Sequence, residues 1–341
     1  MSITYKDAGV DISLANKILK ELKPEIESTF KRDAMFGIGK FAGFYRITDN
    51  LVLAASIDGV GTKVKLAKMA GNCFVIGEDI VNHSVNDLIV HNVKPLFFLD
   101  YIAMEKLNPK FFKQIIKGIV KACKLNDISL IGGETAEMPS IYYKEMFDVA
   151  GCIIGIVEIN KIIDGRNIKE NDVVIAVSSN GLHTNGFSLV NKIFFENNNY
   201  NLNDYIPELK SNLKNTLLKP HLSYKKLIFK LNQAGVEIKA MAHITGGGII
   251  DNFSRVIPKN FCAIIYKEKI KVLKIFNFIQ KIGEISEEEM YRTFNMGVGF
   301  IIVTSPEYSE KVKNIGNKIG YNLYEIGKII KSKKNIKVEI C

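Results

Sequence analysis

The chain has 341 residues, 47% of them hydrophobic, and a mean hydropathy of +0.07, enough for a sizeable core divided between two domains. Its longest apolar runs, 147–157 and 300–303, are far shorter than a bilayer span, and the opening MSITYKDAGVD lacks a charged-then-apolar signal pattern, so a cytoplasmic protein with no membrane partner is expected. The net charge of +10 comes from lysines spread along the chain without aromatic interleaving, which predicts no nucleic-acid partner.

Strand and helix signals alternate throughout, which predicts an α/β or α+β fold rather than a bundle or a sandwich. In the first half, helices fit 11–30, 77–92 and 109–125, and strands fit 51–57, 96–103, 129–131 and 148–157. The turn-rich NKIIDGRNIKENDVV resets the pattern, so the boundary is expected within 160–172, dividing the chain into domains 1–165 and 166–341. The second half then reads as strand 173–177, helices 186–198 and 222–234, strand 238–243, helix 247–256, strand 261–266, helix 272–282, strand 299–304, helix 306–319 and strand 323–330. Five cysteines, Cys73, Cys123, Cys152, Cys262 and Cys341, stand singly and suit reduced thiols without a zinc site.

The segment ASIDGVGTKVKLA resembles a phosphate loop but fails the Walker A spacing. One reading is a plain turn. In the other, Gly59 and Gly61 let backbone approach a phosphate, Lys63 adds positive charge, and Asp58 binds Mg²⁺ bridging to the phosphate oxygens. A metal site of that kind needs more carboxylates. In GEDIVNHSVNDLIVHN the helical period places Asp79, Asn82, His83 and Asn86 on one face with Asp87 beside them, and that face carries no lysine. LIGGETAEMP adds Glu134 at a strand end, while Asp100 suits a ligand and a buried hydrogen-bonded carboxylate equally well. The stretch FGIGKFAGF, with Lys40 in its midst, is either a flexible loop or a lid over a nucleotide. His183 in SSNGLHTNGFSLV and His243 in AHITGGGIIDN each precede a Gly-rich helix start, a setting for anion binding or proton transfer. YRTFNMGVGF adds Asn295, whereas His221 and His91 read as structural.

Taken in order, YKDAGVDI, DGVGTK, VNDLIV, PLFFLDYIA, GGETAEMP, SSNGLHTNGFSLV, HITGGG and YRTFNMGVG cover nearly the whole chain. Together they strongly resemble the phosphoribosylformylglycinamidine cyclo-ligases, or phosphoribosylaminoimidazole synthetases, of purine biosynthesis. The resemblance implies ATP-dependent closure of formylglycinamidine ribonucleotide to aminoimidazole ribonucleotide, with ADP and phosphate released. It also implies a homodimer whose N-terminal domains contribute strands to a shared barrel, a C-terminal α/β domain, and ATP with Mg²⁺ between the domains. Carried onto this chain, Asp58, Asp79, Asp87 and Glu134 would hold the metal. Lys23, Lys40, Asp58, Gly59, Gly61, Thr62 and Lys63 would face ATP. Asn185, Gly186, Thr245, Gly246, Gly247, Gly248 and Asn295 would contact the ribonucleotide, with His183, His243 and Lys63 as catalytic groups. Selenophosphate synthetases would require a reactive cysteine near the N-terminal glycine loop, where this chain has none before Cys73.

Overall fold

The computed structural model describes residues 3–333 and 336–341. The first half builds one six-stranded sheet. It contains α1 (Ile12–Ser28), β1 (Ala34–Met35), β2 (Gly43–Arg46), β3 (Leu51–Gly59), α2 (Lys63–Met69), α3 (Phe74–Ile89), β4 (Lys94–Met104), α4 (Pro109–Leu125), β5 (Ser129–Glu137) and β6 (Phe147–Glu158). The strand order is β1-β2-β3-β6-β4-β5, antiparallel except for β4 beside β5. Alternation sets the layers: in β6 every second residue from Phe147 to Val157 is buried, so one face packs on α3 and α4 and the other stays open.

Two glycines allow the helix layer to close. A Cβ on Gly77 would lie 2.1 Å from the Ile115 carbonyl oxygen, and one on Gly118 would lie 2.0 Å from the Phe74 carbonyl oxygen. The backbones of α3 and α4 therefore touch where a larger residue would hold them apart.

The second half contains β7 (Val173–Ser178), α5 (Phe187–Asn191), β8 (Tyr205–Ile206), β9 (Ser211–Asn212), α6 (Leu213–Leu217), α7 (Lys225–Gln233), β10 (Ile238–His243), α8 (Gly248–Ser254), β11 (Phe261–Ile265), α9 (Lys274–Gly283), α10 (Glu287–Thr293), β12 (Val298–Thr304), α11 (Pro306–Lys318), β13 (Leu323–Lys331) and β14 (Val338–Ile340). Its six-stranded sheet runs β10-β12-β7-β13-β11-β14. β10 and β12 are buried along their entire length, as strands covered on both faces must be.

This mixed α/β architecture, two six-stranded sheets and a small β8-β9 pair, agrees with the alternation of the sequence signals. Several boundaries differ. β5 continues to Glu137 instead of ending at Ile131, because pairing with β4 carries it through the glycines to the level of Met104. The segment expected as one helix over 186–198 is α5 followed by a π-helix, Lys192–Asn197. The short α2, α10, β1, β2 and β14 carry too few residues to register a period. Among the described residues, no helix is long and apolar enough to cross a membrane.

Replacing Gly118 with valine should force α3 and α4 apart and lower stability by about 1–3 kcal/mol. Urea denaturation measures this, and an unchanged midpoint would show that the close approach is not required.

Candidate active site between the two halves

Every residue of α3 from Val75 to Ile89 is buried, although the helix carries Glu78, Asp79, Asn82, His83, Asn86 and Asp87. Burying such groups is costly unless each finds a partner, and the partners come from the second half. The irregular segment leading from Lys219 to Tyr224 lies along this polar side. Asp79 accepts the His221 backbone N–H (2.7 Å), Asn82 donates to the His221 carbonyl (2.7 Å), and Asn86 donates to the Leu222 carbonyl (2.8 Å) while accepting the Tyr224 N–H (3.0 Å). α3 thus completes the hydrogen bonding of a segment that, among the described residues, belongs to no sheet.

At the end of this seam four of the chain's five histidines converge. β3 directs Asp58 toward α3, where its carboxylate lies 3.4 Å from His83 Nε2. His83 Nδ1 lies 2.9 Å from Thr184 Oγ1, and Thr184 Oγ1 lies 3.4 Å from His221 Nδ1. His221 Nε2 meets His243 Nε2 at 2.9 Å, and His243 Nδ1 meets Asp87 at 2.7 Å. One direction satisfies the whole series: His83 donates to Asp58 and Thr184, Thr184 donates to His221, His221 donates to His243, and His243 donates to Asp87. His183 stacks on His221 with centroids 4.0 Å apart, and neither of its ring nitrogens has a hydrogen-bond partner among the described residues.

The charges follow from this geometry. Burial alone would depress His83, but Asp58, with Asp87 and Asp79 behind it, outweighs burial and lifts the imidazole to about 9. His83 is therefore a cation at neutral pH. Burial pushes Asp87 well above the usual carboxylate range, reinforced by the negative charge of Asp58. Asp58 goes the other way, since His83 outweighs its own burial. His183, His221 and His243 are held well below the ordinary imidazole value by burial and by neighboring positive charge, that of His83 in each case, so they are neutral.

The model for the N-terminal domain of AIR synthase related proteins matches residues 39–157, and the corresponding C-terminal model matches 169–339. The phosphoribosylformylglycinamidine cyclo-ligase of Thermoanaerobacter sp. (strain X514) is 46% identical over 98% of this chain and 99% of its own length. The chain belongs to the phosphoribosylformylglycinamidine cyclo-ligase family. Its fold is also that of a thiamine-monophosphate kinase from Stenotrophomonas maltophilia K279a, with a TM-score of 0.65 at 14% identity, covering 97% of this chain and 96% of that one. AaThiL complexed with AMPPCP and TMP gives a TM-score of 0.65 at 16% identity, covering 97% and 93%.

Within this cyclo-ligase fold, only part of the site expected from the sequence comes together. Asp58, Asp87 and His243 meet through the network just described, and His183 lies against it. Lys63, expected to face a nucleotide and take part in catalysis, is instead fully buried. Its ammonium reaches Asp79 at 2.7 Å, the Lys219 carbonyl at 2.8 Å and the His183 carbonyl at 3.0 Å. Asp79, expected to bind metal, is consumed by that ion pair and by His221 N–H. Glu134 is also displaced from the expected cluster. It pairs across the sheet with Tyr101, Ala150 and Gly59, one row from Asp58, Gly151 and Asp100, so it stands on the opposite face from Asp58.

The glycine motifs divide similarly. Asn185 lies beside Gly246, whose added Cβ would sit 3.2 Å from the Asn185 side-chain oxygen. Gly186 and Gly248 have positive φ (79° and 61°), and a Cβ there would strike Phe294 or the Tyr291 carbonyl. Gly247 (φ 92°) turns the chain into α8, and Thr245 donates to Asn252, which caps Gly246 and Gly248. Asn295, expected to touch substrate, is buried and holds the loop at Ser179, Gly181 and Gly297. Lys23 pairs with Glu27, which accepts the Ile38 N–H, so it borders the Gly-rich loop. Thr62 meets Ser188 at 3.0 Å across the seam. Gly61 (φ 70°) has open space above it, and a Cβ on Gly59 would meet only the Val149 carbonyl oxygen, at 3.9 Å.

His221, read as structural from the sequence, is the center of the network, and His83 supplies its charge. The available signal was the scarcity of histidine together with the i, i+4 spacing of His83 and Asp87. His91 does behave structurally: it contacts the Ile163 carbonyl at 2.8 Å and packs on Phe44, and burial lowers it to about 4.

Removing one partner of the buried Lys63–Asp79 pair should be far costlier than neutralizing both. Lys63→Met is expected to lose about 3–5 kcal/mol. The double variant Lys63→Met/Asp79→Asn keeps an acceptor for His221 N–H and should recover most of that loss in chemical denaturation. Equal stability of the two variants would contradict an uncompensated Asp79 charge.

Proposed function

We propose that the Asp58–His83–Thr184–His221–His243–Asp87 seam is the reaction center at which formylglycinamidine ribonucleotide is closed to aminoimidazole ribonucleotide, with ATP as the phosphoryl donor. The carrying observation is that this seam joins both halves and places a neutral imidazole, His243, against a carboxylate, Asp87, in a dry site. In the reaction the bond between the β- and γ-phosphates of ATP breaks as the formamide oxygen takes the phosphoryl group. The amidine-side nitrogen then attacks that carbon, the carbon–oxygen bond breaks, and phosphate leaves with its bonding pair. The attacking nitrogen must give up one proton. His243 suits that role once substrate takes the place of the His221 N–H at Nε2, because Asp87 fixes the proton on Nδ1 and makes Nε2 the basic atom. His183, whose two ring nitrogens have no hydrogen-bond partner among the described residues, suits contact with the ribonucleotide, beside Asn185 and Gly246.

The nucleotide reading is supported by the open Gly59–Thr62 turn and by Lys23 at the neighboring loop. The complex of AaThiL, which shares this fold, with AMPPCP agrees with it. For Mg²⁺, the expected four-carboxylate set does not fit this chain, but a smaller one does. Asp58 and Asp87 offer hard oxygen donors, and a cation between them would offset the burial and the Asp58 charge that push Asp87 upward. Two carboxylates with phosphate oxygens are a normal set for this ion. It would neutralize charge between those carboxylates and ATP.

The assembly reading is a homodimer. β5 is hydrogen-bonded on one side only, and the open sheet face exposes Tyr45, Ile57 and Tyr101, with Ile57 at 73%. A second copy would cover this face and protect the edge.

ADP release should require the ribonucleotide, and His243→Ala and Asp58→Asn should each slow it by about 10²- to 10⁴-fold without loss of fold. Equal ADP release with and without ribonucleotide overturns the reaction, and wild-type rates in both variants overturn the site. Light scattering at micromolar concentration should give twice the chain mass. A monomer would refute the covered face.

A further inference from the structure

A second concave surface lies beside the seam, with a volume of about 260 Å³. It is lined by Lys40 from the Gly-rich loop, Asp164 and Arg166 from the segment between the sheets, Arg255 and Lys259 just after α8, and Lys337 just before β14. Asp164 is the only acid among these six, and it is already paired with Arg166 through contacts of 2.7, 2.9 and 3.0 Å. Lys40, Arg255, Lys259 and Lys337 have no carboxylate within 4.0 Å among the described residues.

Capping of α8 explains part of this arrangement. Lys40 donates to the Arg255 carbonyl at 3.2 Å and Lys337 to the Ser254 carbonyl at 3.1 Å, as cations at a helix C-terminus do. It does not explain Lys259, which is exposed and forms no ion pair, or Arg255, whose guanidinium is held over the Phe41 ring at 5.0 Å. It also leaves the repulsion unbalanced: burial, Lys40 and Lys259 together depress the Lys337 ammonium. Four cations around one small hollow, drawn from three separate chain segments, cost free energy unless an anion enters.

Size and position narrow the anion. The hollow is smaller than the ~300–1,000 Å³ of a pocket for a whole ligand, so it suits one anionic group at the end of a larger molecule. Arg255 connects it to the reaction center, since its charge acts on both Asp87 and His243. We propose that Lys40, Arg255, Lys259 and Lys337 form a phosphomonoester subsite that anchors the 5′-phosphate of the ribonucleotide while its reacting end lies at His243. This deepens the cyclo-ligase reading of the seam and rests on it for the identity of the larger molecule. Lys40 is thereby reassigned from ATP to the other substrate, and the Gly-rich loop closes on the ribonucleotide phosphate through it.

The test is calorimetric binding of ribose 5-phosphate, ribose and AMPPCP at low salt to the wild-type chain, to Lys40→Ala/Lys259→Ala and to Lys259→Glu. The last changes an exposed side chain and leaves the fold intact. Ribose 5-phosphate should bind and ribose should not. Both variants should weaken ribose 5-phosphate by about tenfold or more, as loss of charge-assisted contacts predicts, with AMPPCP affinity unchanged. In steady state they should raise KM for the ribonucleotide and keep kcat. Unchanged ribose 5-phosphate affinity in both variants overturns the subsite. Loss of AMPPCP instead assigns the hollow to the ATP tail and overturns the ribonucleotide assignment, and equal weakening of inorganic phosphate and ribose 5-phosphate with unchanged KM reduces it to a free-phosphate site and does the same. ADP release independent of ribonucleotide, with ribose 5-phosphate binding still lost in the variants, would sink the cyclo-ligase reading while upholding the phosphomonoester subsite.

Discussion

The structure depends on the polar side of α3. A helix packed on both faces ordinarily carries apolar residues all round, because an unpartnered amide or carboxylate in a dry interior costs several kcal/mol. Here Asp79, Asn82 and Asn86 are each matched to a backbone group of the 219–224 segment, and Lys63 neutralizes Asp79. The match works in one register only. A shift of the second half by one residue would orphan these groups at once, so the same bonds that satisfy α3 fix how the two halves dock.

That docking makes the site. His83 and Asp87 come from α3 and Asp58 from β3, while Thr184, His221 and His243 arrive from three separate places in the second half. None of the hydrogen-bonded links between the first three and the last three exists until the halves meet. Exclusion of water then holds three of the rings neutral, while Asp58 keeps His83 a cation against its own burial. Imidazoles in two protonation states, with two carboxylates at the ends, make a site able both to hold charge and to accept a proton.

The opposite face of the first sheet has a different character. It lacks a helix layer, exposes large apolar side chains and carries Glu134. The two faces of one sheet thus differ: the covered face packs on the helices that meet the second half, and the bare one leaves large apolar side chains exposed.

Much of this was determined by sequence alone. Alternation along 147–157, continuous apolar runs at 238–243 and 299–304, and turn residues between them specify the strands locally, because side-chain period and backbone preference act over a few residues. The ordered motifs likewise identify the family, and Asp58, Asp87, His183 and His243, which the docking brings together, were legible as candidates. What the sequence could not decide was the partner of each polar group. The lysine-free face of α3 reads equally as a metal face or as a buried interface. Asp79 and Lys63 look like ligands until they are found neutralizing each other, and Glu134 belongs to the Asp58 cluster until strand register places it on the far face. His221, which carries no local signature after Pro220, becomes central only because the 219–224 segment lies along α3. Periodicity shows which side of an element is polar. Only tertiary packing shows whether that side meets water, a ligand or another part of the chain, since burial and partner choice are properties of contacts between residues more than a hundred positions apart.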